Sequence, residues 1–142
     1  MRADPQTESA VRAALTRWAD AYAQRDIGRI LTLIAADDDV VAIGTGPDEW
    51  RVGIAEFKAQ LERDFSQSEA LAIAYHEPVI VSAAGPVAWV AGRATARARV
   101  DGHDLSFAGR FTAVLEQRDS QWLFVQTHFS VPSAEQAEGS SF

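Results

Sequence analysis

Two turn signals, Asp101-Gly102 and the stretch from Arg118 to Gln121, divide the second half of the chain into three long runs of strand character. Val87 to Val100 leads into the first, Leu105 to Gln117 lies between them, and Trp122 to Pro132 follows the second. Short turns of this kind between apolar runs close hairpins, so the region is committed to an antiparallel meander. A fourth run, Leu71 to Ser82, comes before them and turns at Ala84-Gly85-Pro86. Pro78 inside that run marks a bulge or a sheet edge, because proline cannot donate to the strand ladder.

The last run constrains the packing most. One parity holds Leu123, Val125, Thr127, Phe129 and Val131, and the other holds Trp122, Phe124, Gln126, His128 and Ser130. Both are mostly apolar, so the strand is expected to be covered on both faces. With Asp119-Ser120 as the tip, Gln117 faces Trp122, Val114 faces Val125, Thr112 faces Thr127 and Arg110 faces Phe129. With Asp101-Gly102 as the tip, Arg93 faces Arg110 and Ala91 faces Thr112. One face then carries Trp89, Arg93, Thr95, Arg97, Arg110, Thr112, Val114, Val125, Thr127 and Phe129, a mixture suited to a ligand pocket. The other carries Val90, Gly92, Ala94, Ala96, Ala98, Phe107, Phe111, Ala113, Trp122, Phe124 and His128. That flat apolar surface is expected to pair with a second subunit. A single bulge would exchange part of this assignment.

The first half reads as helices. Asp4-Pro5 is a helix start, and Val11, Ala14, Leu15, Trp18, Ala21 and Tyr22 recur at helical spacing. Asp26 caps a second, shorter helix with Ile27, Ile30, Leu31 and Ile34. Val40 to Ile43 is a short strand and Glu49 to Val52 a short extended piece. After Gly53 a third helix carries Ile54, Phe57, Leu61 and Phe65 on one stripe, with a solvated Lys58 and Glu62 pair four apart. Three helices followed by antiparallel strands is an α+β order.

Bulk properties narrow the function. A chain of 142 residues with 47% hydrophobic content supports one domain, read as residues 5–132, with 133–142 a flexible tail. The net charge of -7 argues against nucleic acid and anionic membrane as partners. There is no cysteine, which excludes thiolate chemistry. No apolar run is long enough to span a bilayer and no secretion signal is read, so a cytoplasmic location is the expectation.

Each candidate site residue carries two readings. His128 is either a general base or, on the flat face, an interface residue. His76, His103 and His128 lie on separate strands or turns without the close spacing of a metal site, and no metal is expected. Asp37-Asp38-Asp39 reads as a solvated loop. Gly44-Thr45-Gly46 lacks the Lys and helix of a phosphate loop, so it is a turn, and no cofactor is expected. Trp18, Tyr22, Trp50 and Phe57 either line a cavity or pack the core. Arg93 and Arg110 either hold an anion or pair with acids.

Three stretches carry a resemblance: Trp18 to Asp26, Trp50-Arg51-Val52-Gly53, and Arg110-Phe111-Thr112 through Trp122 to His128-Phe129-Ser130. On these the chain resembles the nuclear transport factor 2-like superfamily, and within it the SnoaL-like domains, over roughly residues 8 to 132. The resemblance implies a cone-shaped, curved antiparallel sheet packed against three N-terminal helices, a concave pocket, and a homodimer through the convex sheet face. The superfamily includes ketosteroid isomerases, polyketide cyclases, dehydratases and noncatalytic association domains, so the fold does not select a reaction. The isomerase Tyr falls on Trp18, its first Asp near Ala42 and its second on Thr112, and none of these can do the corresponding job. The acid of the SnoaL-like cyclases lies near the final strand, and no Asp or Glu lies between Trp122 and Pro132. No catalytic residue is therefore assigned.

The stretch Trp122 to Ser130 is also similar to the association domain of calcium/calmodulin-dependent protein kinase II, whose pocket arginines correspond in role to Arg93 and Arg110. The expected ligand set is Trp18, Tyr22, Trp50, Phe57, Arg93, Arg110, Thr112, Thr127 and Phe129. The expected function is a pocket for a small apolar or carboxylate-bearing molecule, with any reaction isomerase- or lyase-like. The alternative is a noncatalytic dimerisation or association module.

Overall fold

Local chemistry fixes the helix ends in the computed structural model, which describes residues 1–142. Helix α1 (Pro5–Ala23) starts where the Asp4 carboxylate accepts the Thr7 N–H at 2.9 Å, and Pro5 sits in the first turn, where its missing N–H is harmless. Helix α2 (Ile27–Thr32) starts in the same way, with Asp26 accepting from the Arg29 N–H at 3.0 Å. Two short strands follow, β1 (Val41–Ile43) and β2 (Trp50–Val52). Gly53, at a φ of 87° that side chains resist, turns the chain into α3 (Ile54–Ser66). The long strands are β3 (Ala70–Ala84), β4 (Val87–Val100), β5 (His103–Arg118) and β6 (Gln121–Ser130). Residues 131–142 form no helix or strand.

The strands make one open sheet in the order β2-β1-β6-β5-β4-β3. Neighbours are antiparallel except β1 and β6, which run parallel with Ala42 beside Thr127. The curved sheet and three helices give an α+β fold. Backbone bonds from Ala35 to Phe124 (3.0 Å) and from Phe124 to Leu33 (2.9 Å) fasten the end of α2 to β6.

Both expected hairpin tips are present. Asp101 and Gly102 have φ of 51° and 75°, and Asp119 and Ser120 have 48° and 66°, the paired positive values of a type I′ turn. Across the first tip Arg93 faces Arg110 and Ala91 faces Thr112. Strand β3 is a sheet edge, and its register slips between His76 and Ile80, around Pro78.

The last hairpin departs from the expected register. Gln117 faces Trp122 and Leu115 faces Phe124, but Val114 then faces Gln126. Val125 is an extra residue, a bulge that shifts every later pair by one. Thr127 consequently faces Ala113, Phe129 faces Phe111 and Ser130 faces Arg110, instead of the expected partners Thr112 for Thr127 and Arg110 for Phe129.

The two sheet faces are also exchanged relative to expectation. Val90, Ala94, Phe111, Ala113, Trp122 and Phe124 are buried, joining the cluster that contains the buried residues of α1 and α3. Trp89, Arg93, Arg97 and Arg110 are exposed on the convex side. Small residues and aromatic rings allow helices to pack closely on a sheet. Arg93 and Arg110 face one another with no carboxylate bonded to either, and burying such a pair would be costly. The surface read as a subunit interface is therefore the concave wall, covered by the chain's own helices.

Candidate functional site

The core does not fill the space between the helices and the sheet. A cavity of about 480 Å³ remains, lined mostly by apolar side chains. Trp18 and Tyr22 of α1, stacked with ring centroids 5.7 Å apart, form one wall, and Phe57 of α3 meets Trp18 edge-on at 5.9 Å. Ala94, Ala96 and Ala98 form the floor, where their small side chains leave room. Leu105 and Phe107 also line it while being 41% and 44% exposed, which places the opening at the start of β5.

Of the residues expected at a site, Trp18, Tyr22, Phe57, Thr112, Thr127 and Phe129 border this cavity. Thr127 and Phe129 reach it because the Val125 bulge turns them onto the same face as Ala113 and Phe111. Thr112 lies at its edge, paired with His128 on β6. Trp50, Arg93 and Arg110 do not border it. Trp50 is 65% exposed on β2, and both arginines are on the convex face. His128 does border the cavity, and its partner in the register is Thr112.

One wall is polar, and none of its principal residues was in the expected set. Gln60 is the sole buried polar side chain in the chain. Its Nε2 donates to Glu49 Oε1 at 3.0 Å and to Asp64 Oδ1 at 2.7 Å, and its Oε1 accepts from Arg51 Nε at 3.0 Å. Glu49 is further held by the Gly46 N–H and by Arg63 Nη2 at 3.4 Å. Burial pushes the Asp64 carboxyl above the usual aspartate range, and the Glu49 charge adds to the rise, against the Gln60 hydrogen bond. Burial likewise raises the Tyr22 phenol, with Asp64 and Glu49 opposing its ionisation. Tyr22 is thus a neutral hydroxyl, and Asp64 a carboxylate that takes up a proton more readily than a solvated one.

A signal for part of this wall is present in the sequence. Gln60 and Asp64 stand three and seven residues after Phe57, on the stripe that also holds Leu61 and Phe65. Polar residues on a core-facing stripe need partners, and here they have them. Arg51 and Glu49 join them because β1 and β2 fold back antiparallel, so Arg51 lies opposite cavity-lining Ala42.

Comparison with known structures places the fold. A nuclear transport factor 2-like superfamily protein from Salmonella enterica superposes with a TM-score of 0.86 over 99% of this chain and 100% of that one, at 14% identity. A Novosphingobium aromaticivorans protein provisionally named a scytalone dehydratase gives 0.79 at 14% identity over 89% and 85% of the two chains. A Xanthomonas campestris protein provisionally named a calcium/calmodulin-dependent protein kinase II association domain gives 0.76 at 24% identity over 87% and 86%. At these identities the likeness is one of fold. No curated protein matches the sequence. The family description of the SnoaL-like domain matches residues 11–134, nearly the whole chain, and the chain belongs to that family.

Proposed function

We propose that this SnoaL-like domain binds a small, largely apolar molecule in the cavity between its helices and sheet, and that any reaction there is of the isomerase or lyase kind. The observation that carries the reading is an open apolar cavity of about 480 Å³ with one polar wall, Arg51, Gln60 and Asp64. Pockets built this way orient a ligand through a few fixed polar groups while apolar contact holds the rest. Asp64, with its raised proton affinity, is the group suited to moving a proton in such a reaction. The test uses the neutral fluorophore 6-propionyl-2-dimethylaminonaphthalene. Saturable, blue-shifted fluorescence is expected with the wild type and its loss with Ala96→Phe, which fills the floor. Equal response from both proteins would remove the cavity from the binding site.

A second reading, association, is favoured by the convex face. Trp50, Ile80, Val52 and Trp89 are 65%, 61%, 42% and 38% exposed there. Trp50 and Val52 lie on one edge strand, Ile80 on the other and Trp89 on the strand beside it. Large apolar side chains spread across a sheet face are suited to burial by a second copy. A homodimer through this face is compatible with ligand binding, since the cavity opens on the other side. Sedimentation at micromolar concentration tests it, and a monomer would overturn it.

A further inference from the structure

The polar wall of the cavity has hydrogen-bonding capacity that the chain itself does not use. Gln60 is fully occupied by Glu49, Asp64 and Arg51. Glu49 is occupied on both oxygens, by Gln60 and Arg63 on one and by the Gly46 N–H on the other. What remains is Asp64 Oδ2, the two amino nitrogens of Arg51 and the Tyr22 hydroxyl, none of them bonded within the chain. No side-chain polar atom of these partly buried residues is both sealed from solvent and unpaired. Tyr22, Arg51 and Asp64 all line the cavity, so their free groups are available to whatever occupies it.

We infer that the cavity selects a neutral head group offering a hydrogen-bond donor and an acceptor side by side, such as a primary carboxamide or a hydroxy ketone, the donor directed to Asp64 and the acceptor to Arg51. This rests on the small-molecule reading above and narrows it. Gln60 sets the spacing, because the same amide group binds both residues at 3.0 Å and 2.7 Å. Charge supplies the selection against ions. A carboxylate would gain Arg51 but would stand beside Asp64 and Glu49 in an apolar space. An ammonium group would gain Asp64 but meet Arg51. A neutral donor and acceptor pair satisfies both residues without bringing in a third charge. The carboxylate ligand expected from Arg93 and Arg110 loses its basis, since both arginines lie outside the cavity.

Three probes share one apolar body and differ only in the head: 2-naphthamide, 2-naphthoate and 2-naphthylmethylammonium, titrated calorimetrically at pH 7. The amide is expected to bind at least about tenfold more tightly than either ion, the difference that one good hydrogen-bonded contact makes. Asp64→Asn is expected to improve 2-naphthoate relative to the amide, and Arg51→Met to improve the ammonium probe relative to the amide. Circular dichroism verifies that both variants fold. If 2-naphthoate binds the wild type as well as the amide, the head-group inference falls while the cavity reading stands. If the ranking is the same in wild type and both variants, the polar wall is not the binding wall and the inference falls. If no probe binds and the neutral fluorophore also fails, both readings fall.

Discussion

The ring of Phe129 on β6 rests against the bare backbone of Gly109 on β5. A Cβ at position 109 would lie 2.6 Å and 2.7 Å from two ring carbons and 2.4 Å from the Ser130 carbonyl oxygen. The ring could turn aside, but the carbonyl belongs to the neighbouring strand and cannot move without disturbing the sheet. Gly109→Ala is expected to cost about 2 kcal/mol, within the range for overpacking a filled site. Thermal unfolding should show a loss of several degrees, and an unchanged midpoint would mean that β6 can shift freely there.

Asp64→Asn should stabilise the protein at neutral pH. Burial raises the Asp64 pKa, so the folded chain binds this proton more tightly than the unfolded chain. The penalty for ionising it is absent below the ordinary aspartate pKa of 3.8, develops as the pH rises through the higher folded value, and persists above it. The variant should therefore unfold at a higher denaturant concentration than wild type at pH 7, and at the same concentration near pH 3. A difference that did not depend on pH would point to packing instead of charge.

Asp37 carries the opposite sign. Arg118 Nη1 donates to it at 2.9 Å, and the same guanidinium bonds Glu116 at 2.8 Å. The Arg118 hydrogen bonds hold the Asp37 pKa below its usual value. Its stabilisation is present above the unfolded pKa of 3.8 and disappears as the pH falls through the lower folded value. Asp37→Asn should lower the melting temperature slightly at pH 7, since the pair is about one-third exposed and screened. The two proteins should melt together near pH 2.

Leu115 is fully buried where β5 faces Phe124. Leu115→Ala should cost roughly 2–5 kcal/mol in urea unfolding, the range for deleting a core leucine. A cost below about 1 kcal/mol would show that the neighbouring side chains collapse into the space.

Trp50→Glu together with Trp89→Glu should convert a convex-face dimer to monomer, because two charges would enter an apolar contact from each copy. The double variant should sediment as a monomer while retaining the wild-type circular dichroism spectrum. A dimer that survived both changes would have to use another surface.

Features set by local chemistry could be read from the sequence. Asp4 and Asp26 announce their helices through their own carboxylates, and Asp101-Gly102 announces its turn through backbone preference. The stripe Val11, Ala14, Leu15, Trp18 and Ala21 needs only the helical period. The sheet faces were harder because both parities of β6 are apolar, and hydrophobicity alone does not say which one the helices cover. Val125 has no property that marks it as an extra residue in an alternating run. Gln60 and Asp64 were legible as polar positions on the α3 stripe, but Arg51 and Glu49 come to them only through the fold of β1 on β2. Half of the polar wall was thus visible locally, and the other half depends on contacts between elements.

The Val125 bulge makes the middle of β6 a point of evolutionary leverage. Upstream of it, Phe124 belongs to the core, and downstream Thr127 and Phe129 reach the cavity. Straightening the strand with Val125 kept in the ladder would set Val125 opposite Val114 and carry Gln126 and His128 to the positions now held by Thr127 and Phe129, opposite Ala113 and Phe111. A lineage built on this scaffold could exchange an apolar wall for an amide and an imidazole by flattening the bulge, with no residue gained or lost.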